Sequence, residues 1–313
     1  MIGITKLSTA SNTSKVCKVF SGLNSSRSFA ASAKKHRSES DKEANPLVVI
    51  ENDPTNERFK VMKMNRPPVN SLNLEMFQAL IKAVDTLEDT QNVDGAIVHT
   101  TSPSVFCAGL DLSELHNPNE SRLREFWSTF QEFYIRMYGC KITTAAAITG
   151  HSPAGGTLVA MCCDYRAMHA GDKKYTIGLN ETTFGLAAPG WLAGLMVATI
   201  GQRQAERALL PGKLFTANEA LSVGLVDDVA PSSNETLDLC RAYLLSLSKS
   251  YASARAMSKG LIRKPSIDAL RKNFNEDVDL YVKLIMSDNF QKAADAHVKA
   301  VMAAAAAKKK KSS

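Results

Sequence analysis

The six cysteines of this 313-residue chain include no C-x-x-C pair and no zinc-like spacing, and two of them, Cys162 and Cys163, are adjacent. A disulfide framework is therefore not expected, and the thiols read as small core residues of a reducing compartment. Also missing are G-x-x-x-x-G-K-[ST], H-E-x-x-H and a G-x-G-x-x-G after the first predicted strand. Their absence argues against nucleotide hydrolysis and dinucleotide redox chemistry. Gly150-His151-Ser152-Pro153-Ala154 falls short of the hydrolase elbow G-x-S-x-G, because it ends in Ala and puts Pro where the elbow turns into helix. The long uncharged stretch Thr182 to Gln202 contains Pro, Gly and polar residues, so it reads as a buried helix rather than a membrane span. No repeat of 20 to 50 residues is present.

The formal net charge of +7 does not describe the body of the protein. Residues 1–38 hold Lys6, Lys15, Lys18, Arg27, Lys34, Lys35 and Arg37 without a single acid, and Lys308 to Lys311 crowd the other end. The stretch between is mildly acidic, so no nucleic-acid partner is expected. A Ser-rich, acid-free basic leader with scattered apolar residues has the composition of a mitochondrial transit peptide, and a disordered basic leader is the alternative. The transit reading places the protein in the mitochondrial matrix. The basic end, 303–313, reads as a solvated tail and is not a peroxisomal S-K-L signal.

With 44% hydrophobic residues the chain can bury a sizeable core. Leu47 to Ile50 and Phe59 to Met64 read as a strand pair around Asn52-Asp53-Pro54-Thr55-Asn56. A helix over about 73–88 carries Phe77, Leu80, Ile81, Val84 and Leu87 on one face, and a second runs from Arg122 to Tyr138. Strands are predicted at 95–98, 142–148 and 165–169, with a helix over 155–163. From Pro189 onward helical patterns dominate, at about 189–200, 202–210, 217–223, 235–258 and 265–302. The parse is an α/β core over 39–235 followed by a helical region over 236–302.

Two Gly-containing segments follow predicted strands: Phe106-Cys107-Ala108-Gly109-Leu110-Asp111 and Pro153-Ala154-Gly155-Gly156. Small residues let main-chain N–H groups approach a ligand, and the second segment opens into a helix whose first N–H groups are unpaired. Two such donors aimed at one oxygen form an oxyanion hole. Singly, each segment is also what an ordinary strand-to-helix turn looks like.

Together they resemble the crotonase (enoyl-CoA hydratase and isomerase) superfamily, with its F-x-A-G-x-D and G-x-x-x-G-G turns. Pro67-Pro68-Val69-Asn70-Ser71-Leu72, Lys141 to Gly156, Cys163-Asp164-Tyr165-Arg166, Thr216-Ala217-Asn218-Glu219-Ala220 and Gly224-Leu225-Val226-Asp227 extend the match in order across about 47–302. The resemblance implies a spiral of ββα units, as in ClpP, making two sheets, and a C-terminal helical region that assembles a homotrimer. It implies an acyl-CoA substrate, with coenzyme A present only as part of that substrate and no metal or redox cofactor.

By the same resemblance, the N–H groups of Ala108 and Gly155 hold a thioester oxygen, Gly156 supports the turn, and Asp111 orders the loop. Gly109, Leu110, Leu112, Leu158 and Trp191 complete the expected substrate contacts. Of the two positions at which the family supplies a glutamate, the first is Leu158 here and the second is Glu181. A further acid used by dienoyl isomerases is replaced by Pro189. One carboxylate in an apolar pocket suits a double-bond shift, from 3-enoyl-CoA, cis or trans, to trans-2-enoyl-CoA in fatty-acid β-oxidation. Glu181 would take a proton from C2 and return it at C4, with Leu158, Phe184, Leu186 and Trp191 excluding water. Residual hydratase activity, or a silent relative binding RNA or protein through its basic tail, are the alternatives. His151, Asn70 and Trp127 read as structural.

Overall fold

The computed structural model describes residues 46–309, so the expected leader and Cys17 lie outside the described residues. Nine strands run in chain order as β1 (Val48–Asp53), β2 (Asn56–Met64), β3 (Gly95–Thr100), β4 (Thr143–Ile148), β5 (Ser152–Pro153), β6 (Tyr165–His169), β7 (Thr176–Gly178), β8 (Phe215–Thr216) and β9 (Asp228–Ala230). They form a six-stranded sheet, β1-β2-β3-β4-β6-β9, and a three-stranded sheet, β5-β7-β8. The first pair is the expected hairpin, closed where Asp53 Oδ1 accepts from the Thr55 N–H and hydroxyl at 2.8 and 2.5 Å. Every other pair in the larger sheet is parallel. β4 is buried at all six residues, as a central parallel strand covered on both faces must be.

Helices α1 (Leu74–Asp89) and α2 (Glu120–Tyr138) cover one side. Asn73 and Asn119 cap them, each side chain accepting an N–H from the first turn, at 3.0 and 3.1 Å. Their buried faces meet through Phe77, whose ring lies 5.0 to 5.7 Å from those of Phe126, Phe130 and Phe133. Trp127 is buried in the same cluster, and the five described cysteines are free and buried, as the sequence implied.

The chain continues through α3 (Gly155–Met161), α4 (Gly190–Ile200), α5 (Gln202–Leu209), α6 (Ala217–Ser222), α7 (Ser233–Ser246), α8 (Ala252–Lys272), α9 (Phe274–Ile285) and α10 (Asp288–Lys309). The helical stretch expected over 235–258 is broken at 247–251, and that over 265–302 belongs to three helices. Pro265 lies inside α8 on its exposed side, where a carbonyl that loses its helical donor is open to solvent. Asn273 ends α8, its side chain donating back to Ala269 O at 3.1 Å. Ser287 makes the next break, donating to Leu284 O at 2.6 Å and accepting from the Phe290 N–H at 3.4 Å. Helix α10 runs to Lys309, so residues 303–309, expected as tail, are helical.

Asp164 docks α8 on the core. Its carboxylate meets Lys259 and Arg263 at 2.8 Å each and accepts the Thr144 N–H at 2.8 Å. The Arg263 guanidinium also lies 4.3 Å from the centre of the Tyr138 ring. Among the described residues no helix is long and apolar enough to cross a membrane.

Candidate active site

Two β-bridges and one short ladder bring three distant segments together. Val105 bridges His151, with the Phe106 N–H donating to His151 O at 2.9 Å. Leu72 bridges Leu110, with the Leu72 N–H donating to Gly109 O at 2.8 Å. In the small sheet Ser152 and Pro153 pair with Ile177 and Gly178, and the Ala154 N–H donates to Gly178 O at 2.8 Å. Both Gly segments and the strand leading to Glu181 therefore share one hydrogen-bonded framework.

Asn70 holds the entry to that framework. At φ 51°, its side chain accepts the Arg66 N–H at 2.8 Å and donates to Thr100 Oγ1 and Phe106 O at 2.7 and 3.1 Å. His151 is structural as well: its Nδ1 faces Thr176 Oγ1 at 3.1 Å and accepts the Thr176 N–H at 3.2 Å, and burial pulls its pKa down.

The two Gly segments touch. Gly109 has φ +90°, and a Cβ there would lie 3.0 Å from Ala154 Cβ and 3.3 Å from the Gly155 nitrogen. A Cβ on Gly155 would lie 2.9 Å from a Leu72 methyl, and one on Gly156 only 2.3 Å from Cys107 O. Ala154 turns the chain into α3 at φ 49°, and among the described residues the Gly155 N–H donates to nothing.

The expected donor on the other segment is corrected. The Ala108 N–H is spent on Val69 O at 3.0 Å and is closed to a ligand. The Leu110 N–H has no partner among the described residues, one peptide beyond the glycine that contacts Gly155. The alternation of a bridge explains this: Gly109 O and the Asp111 N–H point at Leu72, so the Leu110 N–H points away from it. Asp111 orders the loop as expected. It pairs with Arg66 at 2.8 Å and accepts from Ser71 Oγ at 2.9 Å and from the Ser113 N–H at 3.0 Å. Burial opposes its charge, but Arg66 and these hydrogen bonds outweigh burial and hold its pKa low. Leu112 opens the 3₁₀ turn capped by Asp111.

Glu181 opens a second 3₁₀ turn, Glu181–Phe184, three residues beyond Gly178. Its Oε2 is buried without a hydrogen-bond partner, and no ion pair reaches the carboxyl among the described residues. Burial pushes its pKa up to about 7, only partly offset by its own main-chain N–H. Of the residues expected to exclude water, Leu158 is fully buried, Leu186 is buried, and Phe184 and Trp191 are half-buried. No group of His, Cys, Asp or Glu among the described residues is arranged to hold a metal ion.

Residues 55–302 match the family model described as enoyl-CoA hydratase/isomerase. The chain belongs to the enoyl-CoA hydratase/isomerase family. It is 39% identical over 251 residues to mouse mitochondrial enoyl-CoA delta isomerase 1, covering 80% of this chain and 86% of that one. The human protein of that name is 39% identical over 237 residues, covering 74% and 76%. The crystal structure of human mitochondrial Δ3-Δ2-enoyl-CoA isomerase superposes with a TM-score of 0.78 at 37% identity, over 81% of this chain and 97% of that one. An enoyl-CoA hydratase from Bacillus halodurans shares the fold at 22% identity, with a TM-score of 0.72.

Several residues around this family's site have no local signal in the sequence. Asn180, beside Glu181, is buried with its Oδ1 unpartnered. Helix α10 straps the two walls of the site. Gln291 donates to Leu115 O at 2.9 Å and accepts the Asn117 N–H at 2.8 Å, while His297 packs edge-on against Phe184 at 4.5 Å. Tyr281 on α9 donates to Ala187 O at 3.2 Å, just beyond the Glu181 turn.

Proposed function

We propose that this enzyme is an enoyl-CoA isomerase that converts cis- or trans-3-enoyl-CoA to trans-2-enoyl-CoA, with Glu181 as its single base and acid. One observation carries the reading: half-buried Glu181 holds one carboxyl oxygen buried and unpartnered, with a pKa near 7, and the other family glutamate position is the apolar Leu158. The similarity to enoyl-CoA delta isomerases over most of both chains supports it.

The thioester carbonyl sits against the N–H groups of Leu110 and Gly155, two free main-chain donors on the touching segments. Glu181 removes a proton from C2, and the electron pair delocalises onto the thioester oxygen and C4. The two N–H groups stabilise that oxygen, each worth about 3–4 kcal/mol in related sites. The proton on Glu181 then goes to C4, and the double bond is left between C2 and C3. No atom is gained or lost, so one group with a pKa near the working pH serves both steps. Leu158 offers no second carboxylate to orient water, and hydration is therefore slow.

The leader composition and the mitochondrial relatives support a matrix location in fatty-acid β-oxidation. Helix α8 supports assembly as a homotrimer, because Met257, Leu261 and Ile262 are each more than half exposed on it. Sedimentation of the protein gives its oligomeric mass directly. The mildly acidic body argues against a nucleic-acid partner.

The decisive experiment compares conversion of 3-hexenoyl-CoA with hydration of 2-hexenoyl-CoA by the same protein. Fast isomerisation with little hydration is expected. Comparable hydration would overturn the single-base mechanism, and turnover of neither substrate would overturn the enzymatic reading.

A further inference from the structure

Helix α9 places two side chains one turn apart, Asp277 and Tyr281, against the segment that leaves the Glu181 turn. Tyr281 is buried and its hydroxyl donates to Ala187 O at 3.2 Å. Asp277 Oδ2 accepts the indole N–H of Trp191 at 3.3 Å. The same oxygen accepts the Trp127 indole N–H at 3.0 Å and Gln131 Nε2 at 2.5 Å, both from α2. Three donors from two helices thus converge on one carboxylate oxygen.

The rings tighten this junction. Trp127 stacks on Tyr281 with centroids 4.5 Å apart and planes 9° from parallel. Trp191 packs against Phe130 and Tyr134 at 5.0 and 4.8 Å. The 3₁₀ turn bearing Glu181 is held at its own residues, where Thr182 Oγ1 donates to Leu209 O at 3.2 Å and the Phe184 ring meets His297 edge-on at 4.5 Å. It is also held on either side, by the β5–β7 ladder before it and by the contacts of α9 at residues 187 and 191 after it.

We propose that Asp277 is a positioning residue of the isomerase site, holding Trp191 and, through the 187–191 segment, the distance between the Glu181 carboxyl and the two main-chain donors. The inference rests on the isomerase reading given above. Asp277 does not touch the reacting atoms; it acts through the indole N–H of Trp191. Because all three donors meet at Oδ2, an amide oxygen can take its place, whereas an aliphatic side chain of similar size leaves three buried N–H groups unpartnered.

The test measures kcat and KM for 3-hexenoyl-CoA in wild-type protein, Asp277→Asn, Asp277→Leu and Trp191→Phe. Asp277→Leu is expected to lower kcat by between about tenfold and a hundredfold, with KM within about twofold of wild type, since a displaced base loses the transition state rather than ground-state binding. Asp277→Asn is expected to retain most of the wild-type kcat. Trp191→Phe keeps an aromatic ring and the other two hydrogen bonds while removing the one that matters, so it reads the same loss if Asp277→Leu fails to fold. Wild-type kcat in both Asp277→Leu and Trp191→Phe would overturn the proposal, as would equal losses in Asn and Leu. A wild-type protein that does not isomerise would overturn the functional reading instead, a result visible before any variant is compared.

Discussion

The Ala108 N–H donates to Val69 O at 3.0 Å, and that bond takes the peptide out of the set of free donors on the F-x-A-G-x-D loop. Motif position alone suggests Ala108. The hydrogen bond removes it and leaves the Leu110 N–H free, next to the glycine that meets Gly155. Since the donors are main-chain groups, the loop is tested by moving it. Gly156→Ala drives a methyl toward Cys107 O, 2.3 Å away, and must displace backbone; Gly155→Ala meets a Leu72 methyl at 2.9 Å, the end of a side chain rather than backbone. Gly156→Ala is expected to lose about 10²–10³ in kcat, the cost of a donor moved out of place. Gly155→Ala should lose clearly less, and steady-state kinetics on both variants ranks them.

Removing the base has a different signature. Glu181→Gln keeps the shape of the side chain and removes its basicity. Isomerisation of 3-hexenoyl-CoA should fall by about 10²–10⁴, while acyl-CoA affinity measured by calorimetry changes little. Full activity in this variant would eliminate Glu181 as the base.

The raised pKa of Glu181 sets a pH dependence for both rate and stability. The base must be ionised, so kcat/KM rises with pH up to about 7 and then levels. For stability the sign is opposite. The unfolded carboxyl releases its proton near 4.5 and the folded one near 7, so stability falls as pH rises through that window and stays reduced above it. The full cost is about 3 kcal/mol. Glu181→Gln should therefore shift the urea midpoint upward at pH 8 and leave it nearly unchanged at pH 4.5.

Leu158 tests why the site isomerises rather than hydrates. Leu158→Glu puts a second carboxyl at a fully buried position. Its desolvation lowers stability by several kcal/mol, and the ratio of hydration to isomerisation should rise. Parallel assays on 2- and 3-hexenoyl-CoA read that ratio.

The junction at Asp164 predicts a stability effect remote from chemistry. Asp164→Ala leaves Lys259 and Arg263, each only 12% exposed, without their carboxylate. A loss of about 3–5 kcal/mol is expected for a broken buried pair, measured by urea unfolding.

Five strands of the larger sheet, α1, α2 and Glu181 were legible because each leaves a local trace: alternation, a one-sided apolar face, or residues of a spaced motif; the sixth strand, β9, has three residues and left none. The small sheet was not, because β5, β7 and β8 have two or three residues each, too few for any period to show. The helical tail was divided wrongly because its breaks depend on side chains such as Ser287 and Asn273, whose capping bonds are visible only once the backbone turns. The free donor at Leu110 depended on a partner about forty residues earlier in the chain, and Asp277 on partners still farther away.

The β5–β7 ladder also separates what the chain is free to vary from what it is not. Because Pro153 pairs with Gly178, the base is registered to the oxyanion turn from the far side of the loop that joins β6 to β7. The exposed residues 172–174 can therefore lengthen or shorten over evolutionary time without moving the carboxyl, whereas a single residue gained or lost between Gly178 and Glu181 would carry it out of reach. Insertions tolerated on one side of a two-residue strand and purged on the other are the mark this architecture should leave in the lengths of its relatives.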